Sequence, residues 1–428
     1  MVIPLKPITN FSLPNCCRTI AHVFEKKNDF EVDADLNSSI KFLTGTFSNE
    51  PNGNEIIYTE FTSNEVEEDS IISKSNQFVQ GELLDLATAP SLPDSFVVRY
   101  RSLDSGLNKF VHLKIEEDYE NLTVLGDSDL DNSVLSICLN PIDNAMICCL
   151  VNNNDDVSLY LYSLEDESYM KQSTKIENLS SIFRTSSSKI LKNNPINFMR
   201  FSPHKNASIL GLTCHSSLQL LDLRSMKLSH NICTPLTLRS FDFNPNRDNF
   251  VAVGSDDGYL RLFDLRKTNI SYSSVKTLTK LSFVKSYQDT KEKVNEFQIP
   301  EFTTPSHSHL IWSVEYHPFR DELILTSSGD NTVKLFALPS YASENNLLET
   351  TNIETGEKFT DGLVAELNQH ADCVYSSKWS LGDPWCIGSV SHDGNLILSS
   401  VPEGLKMAIL LGDTIIEDED EADSISPN

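Results

Sequence analysis

In its second half the chain alternates apolar and polar residues in short runs, a period of two that predicts strands rather than helices. Four of these runs align without gaps: Phe198-Met-Arg-Phe-Ser-Pro203, Ser240-Phe-Asp-Phe-Asn-Pro245, Ser313-Val-Glu-Tyr-His-Pro318 and Ser376-Ser-Lys-Trp-Ser-Leu381. Each is followed by a β-rich run and then by a tight-turn pair, Ser216-Ser217, Asp257-Gly258, Asp330-Asn331 or Asp393-Gly394. The turn follows the strand aromatic (Phe201, Phe243, Tyr316, Trp379) by 15, 14, 14 and 14 residues. A third alternating run comes next: Leu218 to Arg224, Tyr259 to Arg266, Thr332 to Phe336 and Asn395 to Leu398. Asp-Gly and Asp-Asn favour positive φ, which a two-residue hairpin turn requires.

One such meander cannot bury both of its faces. Packing copies radially buries them, and closing the circle protects the strand edges. The first two aromatics are 42 residues apart, the period of WD repeats. The next spacings, 73 and 63, imply insertions, which are read as exposed loops at Leu278–Ser306 and Ser340–Leu363. Weaker copies lie upstream. Leu139-Asn-Pro141 leads to Asp155-Asp156 and then Val157–Tyr162; Ile40–Phe47 pairs with Glu55–Phe61; and Leu83–Leu86, Phe96–Tyr100 and Phe110–Ile115 form another set. The fold expected is all-β, a seven-bladed WD40-type β-propeller over residues 1–411. Clear blades fall at about 196–227, 238–268, 307–339 and 370–401, and degenerate ones at about 19–62, 83–117 and 134–164. A short acidic tail, 412–428, is expected to be disordered.

Charge narrows the partners. The formal net charge is -27 over 428 residues, which repels phosphate backbones and anionic membrane and argues against nucleic acid as a ligand. Residues Asp413 to Asn428 alone carry seven acidic side chains and no basic one. The nine cysteines include no C-x-x-C pair, so they read as small buried hydrophobes in a reducing compartment rather than as a zinc or redox site. Met1-Val-Ile-Pro-Leu-Lys6 lacks the apolar core of a signal peptide. The longest apolar run, Ala145 to Val151, is too short to span a bilayer. The expectation is a cytoplasmic, monomeric propeller within a larger complex, without direct membrane insertion, and without metal or cofactor, since no phosphate-cradling glycine loop, paired-carboxylate site or ligand cluster stands out.

Three groups of residues carry possible chemistry. His307 and His370 each stand nine residues before a strand aromatic and pair by position with Thr326 and Asp330, and with Ser389 and Asp393. A His/Ser/Asp set also evokes hydrolysis, but one that recurs from blade to blade reads as a structural network that rigidifies each blade. Asp222-Leu-Arg224 and Asp264-Leu-Arg266 end two successive units, either as blade-edge salt bridges or as partner-binding arginines. Asp383-Pro384-Trp385 combines a proline that cannot donate to a ladder with a tryptophan. That tryptophan is either a plug between blades or an exposed anchor of the kind that dominates interfaces.

The segment from His370 to Leu411 resembles the closing repeat of the EARP- and GARP-interacting WD-repeat family (TSSC-type). The resemblance rests on His370-Ala-Asp-Cys-Val-Tyr375, Trp379-Ser380, Asp383-Pro-Trp385, Ser389-x-Ser-x-Asp-Gly394, Val401-Pro402, Leu405-Lys406 and Ile409-Leu-Leu411. Phe42-Leu-x-Gly-Thr46, Phe201-Ser-Pro-His204, Leu223-Arg-Ser-Met226, Phe241-Asp-Phe-Asn-Pro-Asn246 and His307-Ser-His309 extend it. Phe263 and Phe336 stand where the family has blade-end tryptophans, and the acidic tail follows the usual end of the family. The resemblance implies a propeller without enzymatic activity that binds the subunits of a GARP/EARP-type vesicle tethering complex. It would work in endosome-to-Golgi retrograde transport and endosomal recycling, reaching the trans-Golgi network or endosomes through its partners. Two alternatives share the architecture: a substrate receptor of a cullin ubiquitin ligase, resting on the Asp-x-Arg ends, and a WD-repeat diphthine methyl ester hydrolase.

Overall fold

A computed structural model describes residues 3–410 apart from 25–38, 63–69, 180–195, 268–298, 344–359 and several shorter stretches in loops. The acidic tail expected at 412–428 lies outside the described residues.

The chain forms a seven-bladed β-propeller. Blade 1 comprises Cys16–His22, Ser39–Phe47, Glu55–Thr62 and Ser70–Gln77, and blade 2 Gly81–Ala87, Ser95–Ser102, Asn108–Ile115 and Leu122–Asp127. Blade 3 holds Ser133–Leu139, Met146–Asn153, Asp156–Glu165 and Tyr169–Ile176, and blade 4 Ile196–Phe201, Ile209–Cys214, Ser217–Asp222 and Lys227–Cys233. Blade 5 runs Leu238–Phe243, Phe250–Ser255, Tyr259–Asp264 and Phe302–Pro305, and blade 6 Ile311–Tyr316, Leu323–Ser328, Val333–Ala337 and Gly362–Leu367. Blade 7 takes three strands from the end of the chain, Val374–Trp379, Cys386–Ser391 and Asn395–Ser400, and its outermost strand from the beginning, Lys6–Ser12. All strands within a blade pair antiparallel, while Ile3–Pro4 adds a parallel edge to blade 6.

The core is seven seams rather than one interior. Because successive residues of a strand face opposite sides, blade 5 sends Val251, Val253 and Phe263 into the seam with blade 4, and Phe250, Ala252, Leu260 and Leu262 into the seam with blade 6. The seam between blades 7 and 1 joins Cys386, Val390, Leu396 and Leu398 to Ile20, Ile40 and Phe42, closing the circle. Glycines on the second strands allow this approach: a Cβ on Gly211 would lie 2.5 Å from the Phe241 ring. Polar staples cross the same seams at the loops that follow the inner strands, an end of the ring called here the lower face. His204 Nε2 is 2.7 Å from the Asn244 carbonyl, Asn244 Nδ2 donates to Asp321 at 3.0 Å, and His317 Nε2 is 2.9 Å from the Pro384 carbonyl.

The structure corrects several details of the sequence reading. In blade 4 the turn is His215-Ser216, one residue earlier than Ser216-Ser217, with Cys214 opposite Ser217 and His215 at φ 49. The other turns have three residues rather than two. Gly258 and Gly394 donate their backbone N–H groups to Ser255 and Ser391, and only these glycines and Asn331 take positive φ (75, 79 and 68). This is a type I turn closed by one left-handed residue, so Asp257, Asp330 and Asp393 stay in ordinary backbone conformations and use their carboxylates to cap the turn. The Leu278–Ser306 insertion contains the fourth strand of blade 5, and Ser340–Leu363 contains the start of the fourth strand of blade 6. A helix over 403–410, absent from the sequence reading, packs Leu405, Ala408 and Ile409 onto the seam between blades 6 and 7.

Candidate interaction sites

The histidine sets come together in both blades. In blade 6, His307 Nδ1 lies 3.0 Å from Asp330 Oδ2, and Nε2 lies 2.8 Å from Thr326 Oγ1. In blade 7, His370 Nε2 is 2.9 Å from Ser389 Oγ, and Nδ1 is 3.4 Å from Asp393 Oδ2. A carboxylate only accepts, so Nδ1 carries the proton and Nε2 faces the hydroxyl. Both imidazoles have fully buried side chains. Burial drives their pKa values down, against the pull of the partner carboxylates. Blade 5 has no histidine in this place. Arg261 substitutes, with Nη2 2.5 Å from Asp257 Oδ2 and Nη1 on the hydroxyl of Ser255. Three blades thus solve one problem, a buried acceptor at the turn, with different donors.

These imidazoles give the fold a pH dependence. His317 and His112 are each pushed down to about 4 by burial. His317 Nδ1 accepts the N–H groups of Phe319 and Arg320, which a protonated ring cannot do. A buried histidine whose folded pKa lies below its unfolded value binds fewer protons in the native state, so stability is complete above about pH 6.5 and falls between there and about pH 4. The midpoint of urea unfolding should therefore drop on going from pH 7 to pH 5. A flat profile would show that these rings are charged or solvated in the folded protein.

Arg224 and Arg266 turn back on their own blades. Arg224 Nη2 is 3.0 Å from Asp222 Oδ2, and Arg266 Nη2 is 2.7 Å from Asp264 Oδ2. In each case the Arg backbone N–H also caps the carboxylate at 2.9 Å. Both guanidinium groups keep an exposed outer edge. Trp385 is half-buried at the seam of blades 6 and 7: its ring centroid is 5.6 Å from that of His317, and Lys406 Nζ lies 5.7 Å from it. Asp383 Oδ1 accepts the Trp385 N–H at 3.0 Å, and Val401 donates to the Trp385 carbonyl at 2.9 Å. Pro384 contributes the carbonyl that His317 holds.

A charged assembly in the central channel escaped the sequence reading. The channel, a cavity of about 650 Å³, is lined by the inner strands of all seven blades. Glu315 of blade 6 sits at its hub. Oε1 lies 3.0 Å from Lys378 Nζ of blade 7, 3.5 Å from Arg200 Nη2 of blade 4 and 3.5 Å from His22 Nε2 of blade 1. Arg200 Nη1 also reaches Asp242 Oδ1 of blade 5 at 2.8 Å, and the other Asp242 oxygen accepts the Tyr316 N–H at 2.9 Å. Lys378, the hydrogen bond with His22 and Arg200 hold the Glu315 carboxyl far below its ordinary range despite burial. Burial, reinforced by Glu315, pushes Asp242 up to about 6. A sequence signal was present. Arg200, Asp242, Glu315 and Lys378 occupy the same place in the four aligned segments, immediately before the strand aromatic.

Among the described residues no group of histidine, cysteine and carboxylate side chains is placed to hold a metal, and no helix is long and apolar enough to cross a membrane. A profile of the WD domain, G-beta repeat, matches residues 227–264 and 298–336. The chain is 26% identical over 359 residues to the EARP-interacting protein 1 of Caenorhabditis elegans, covering 79% of this chain and 85% of that one. It is 30% identical to the EARP and GARP complex-interacting protein 1 of Rattus norvegicus over 225 residues and to that of Homo sapiens over 226, half of this chain and 51% of each relative. The chain is similar to proteins named for EARP and GARP interaction, and two of its segments match the WD-repeat profile. It thus spans about half the length of the mammalian relatives it matches, and most of the nematode one. The side-chain networks described above hold the blades of the propeller together.

Proposed function

We propose that this chain is a non-enzymatic adaptor that binds a GARP/EARP-type vesicle tethering complex in endosome-to-Golgi transport and endosomal recycling. It would act in the cytoplasm and reach membranes through its partners. The observation that carries the reading is the likeness to proteins named for EARP and GARP interaction, on a rigid propeller. The His/Thr/Asp and His/Ser/Asp sets support it from the other side, because fully buried imidazoles bonded into their own blades offer nothing to a substrate. Affinity purification of the tagged full chain followed by mass spectrometry tests the proposal. Tether subunits are expected; cullin adaptors, or neither, defeat it.

The binding face is proposed on the lower face of blades 6 and 7. Around Asp383, Pro384 and the half-buried Trp385, the loops and helix expose Phe319, Leu381, Met407 and Leu410 at 64, 36, 50 and 39%. Exposed apolar side chains on the segments around a partly buried aromatic suit a protein-binding surface. Trp385→Ala should lower both stability, by about 2 kcal/mol, and tether recovery. Met407→Glu should abolish recovery with an unchanged melting temperature. Normal recovery with Met407→Glu places the binding face on another blade.

A further inference from the structure

The lower face of blades 4 and 5 carries a second recess, apart from the central channel. It is a cavity of about 650 Å³ between the loop at 203–207, the loop at 246–249 and the end of the third strand of blade 5. Its charged lining is Lys205, Arg247 and Arg266 against one carboxylate, Asp248, with His204 beside them. In a chain of net charge -27 this is a local reversal of sign.

The cations are held in ways that leave them available. Arg266 spends Nε and Nη2 on Asp264, at 2.9 and 2.7 Å, and its side chain is 63% exposed. Arg247 has no carboxylate partner among the described residues; its Nη1 donates to the Tyr341 carbonyl at 3.3 Å. The two guanidinium groups stand 5.5 and 5.9 Å from the centroid of the same ring, Phe250. Of these two guanidinium groups only Arg266 has a carboxylate partner among the described residues, so Arg247 presents an unneutralised positive charge to an anion entering the recess. Lys205 Nζ completes the rim, 3.4 Å from Asp248 Oδ2. It comes from a run of three left-handed residues, Lys205, Asn206 and Ala207, at φ 53, 56 and 49. Such a run costs about 1–2 kcal/mol per residue and persists only where the surroundings over-determine it.

We propose that this recess binds a compact anionic group on an extended segment of a protein partner, a phosphorylated serine or threonine or a short run of carboxylates. Guanidinium groups match the paired oxygens of either, and Lys205 adds a point charge. A concave site between two loops admits a side chain and not a flat bilayer, and the overall negative charge opposes anionic membrane. The proposal does not depend on the partner being a tether.

The full chain is titrated by fluorescence anisotropy into three labelled probes: a Gly/Ser peptide bearing one phosphoserine, its unphosphorylated twin, and an all-glutamate peptide. Vesicles of anionic lipid are tested by co-sedimentation. Binding of the phosphopeptide, of the glutamate peptide or of both is expected, and identifies the source of the anion; the neutral twin should not bind. The double variant Lys205→Gln, Arg247→Gln should weaken binding by about tenfold or more, the loss of one or two charge-assisted contacts, with the melting temperature preserved. Arg101→Gln, which removes an exposed arginine of blade 2, should change nothing. If the double variant unfolds, Arg247→Lys decides, since it keeps the charge and loses the planar fork; a several-fold loss is expected. The proposal is overturned if neither anionic peptide binds, if Arg101→Gln weakens binding equally, if Arg247→Lys binds normally, or if vesicles bind while both peptides do not.

Discussion

Glu315→Ala is expected to destabilise the propeller by about 3–5 kcal/mol, the cost of leaving buried cations without their counter-charge. The carboxylate serves four blades at once, because the side chains that meet it come from blades 1, 4 and 7. Its removal leaves Lys378 without a carboxylate at hydrogen-bonding distance among the described contacts and gives Arg200 only Asp242. Removing Glu315 also lifts the negative charge that, after burial, pushes Asp242 up to about 6, so Asp242 can hold Arg200, but nothing replaces the partner of Lys378. Glu315→Gln keeps the shape and removes the charge, and should cost nearly as much. Replacing Glu315 and Lys378 together with leucine and methionine should recover much of the loss, as a buried ion pair exchanged for packed apolar groups often does. Urea unfolding followed by tryptophan fluorescence reads the effect, since Trp379 adjoins Lys378 in the inner strand. A loss below about 1 kcal/mol for Glu315→Ala would mean that channel solvent screens these charges and that the hub is no more than a surface pair.

What could be read from the sequence follows from where each strand lies in its blade. The inner strands, and the second and third, are buried on both sides by neighbouring blades, so their apolar residues recur at fixed phase, as in Phe241, Phe243, Val251 and Val253. That periodicity is what counted seven units. The fourth strands lie at the rim with one face in solvent. Ser70–Gln77 is exposed along most of its length and carries no apolar alternation that would predict a strand; Phe302–Pro305 falls inside an expected loop for the same reason. The left-handed turn residues were legible as Asp-Gly and Asp-Asn, but a pair of letters does not distinguish a two-residue turn from a three-residue one. The channel charges were legible in principle, since Arg200, Asp242, Glu315 and Lys378 share one phase. Their meaning depends on five blades meeting across the channel, which no local pattern expresses. Trp385 was legible as a choice between plug and anchor, and the structure places it half-buried against His317 and Lys406.

Deleting residues 1–12 is expected to abolish cooperative folding rather than merely weaken one blade. These residues close the ring. Lys6–Ser12 pairs along the whole of Asn395–Ser400, from Lys6 opposite Ser400 to Ser12 opposite Asn395. Just before it, the Leu5 N–H donates to the Glu366 carbonyl of blade 6 at 2.8 Å. Pro7 is tolerated because this is the outermost strand, where a missing N–H faces no neighbour. Leu5 is 2% exposed within the seam of blades 6 and 7, and Ile8 and Phe11 pack against the seam of blades 7 and 1. Burying these apolar side chains contributes about 1–2 kcal/mol each. Together with the lost ladder this reaches about 5 kcal/mol, the scale of a domain's entire stability. The deletion would also bare Asn395–Ser400 as an unpaired edge beside an open seam, a template for aggregation. The truncated chain should therefore be recovered mainly as insoluble protein, or melt without a cooperative transition. Removing 413–428 instead is the matched control: that segment has no apolar periodicity to bury, so its loss should leave the melting temperature unchanged. Phe11→Asp, which keeps the strand but places a charge against the closing seam, should fall between the two. A soluble, cooperatively melting chain that starts at residue 13 would show that blade 7 holds with three strands and that the ring is closed by its seams alone.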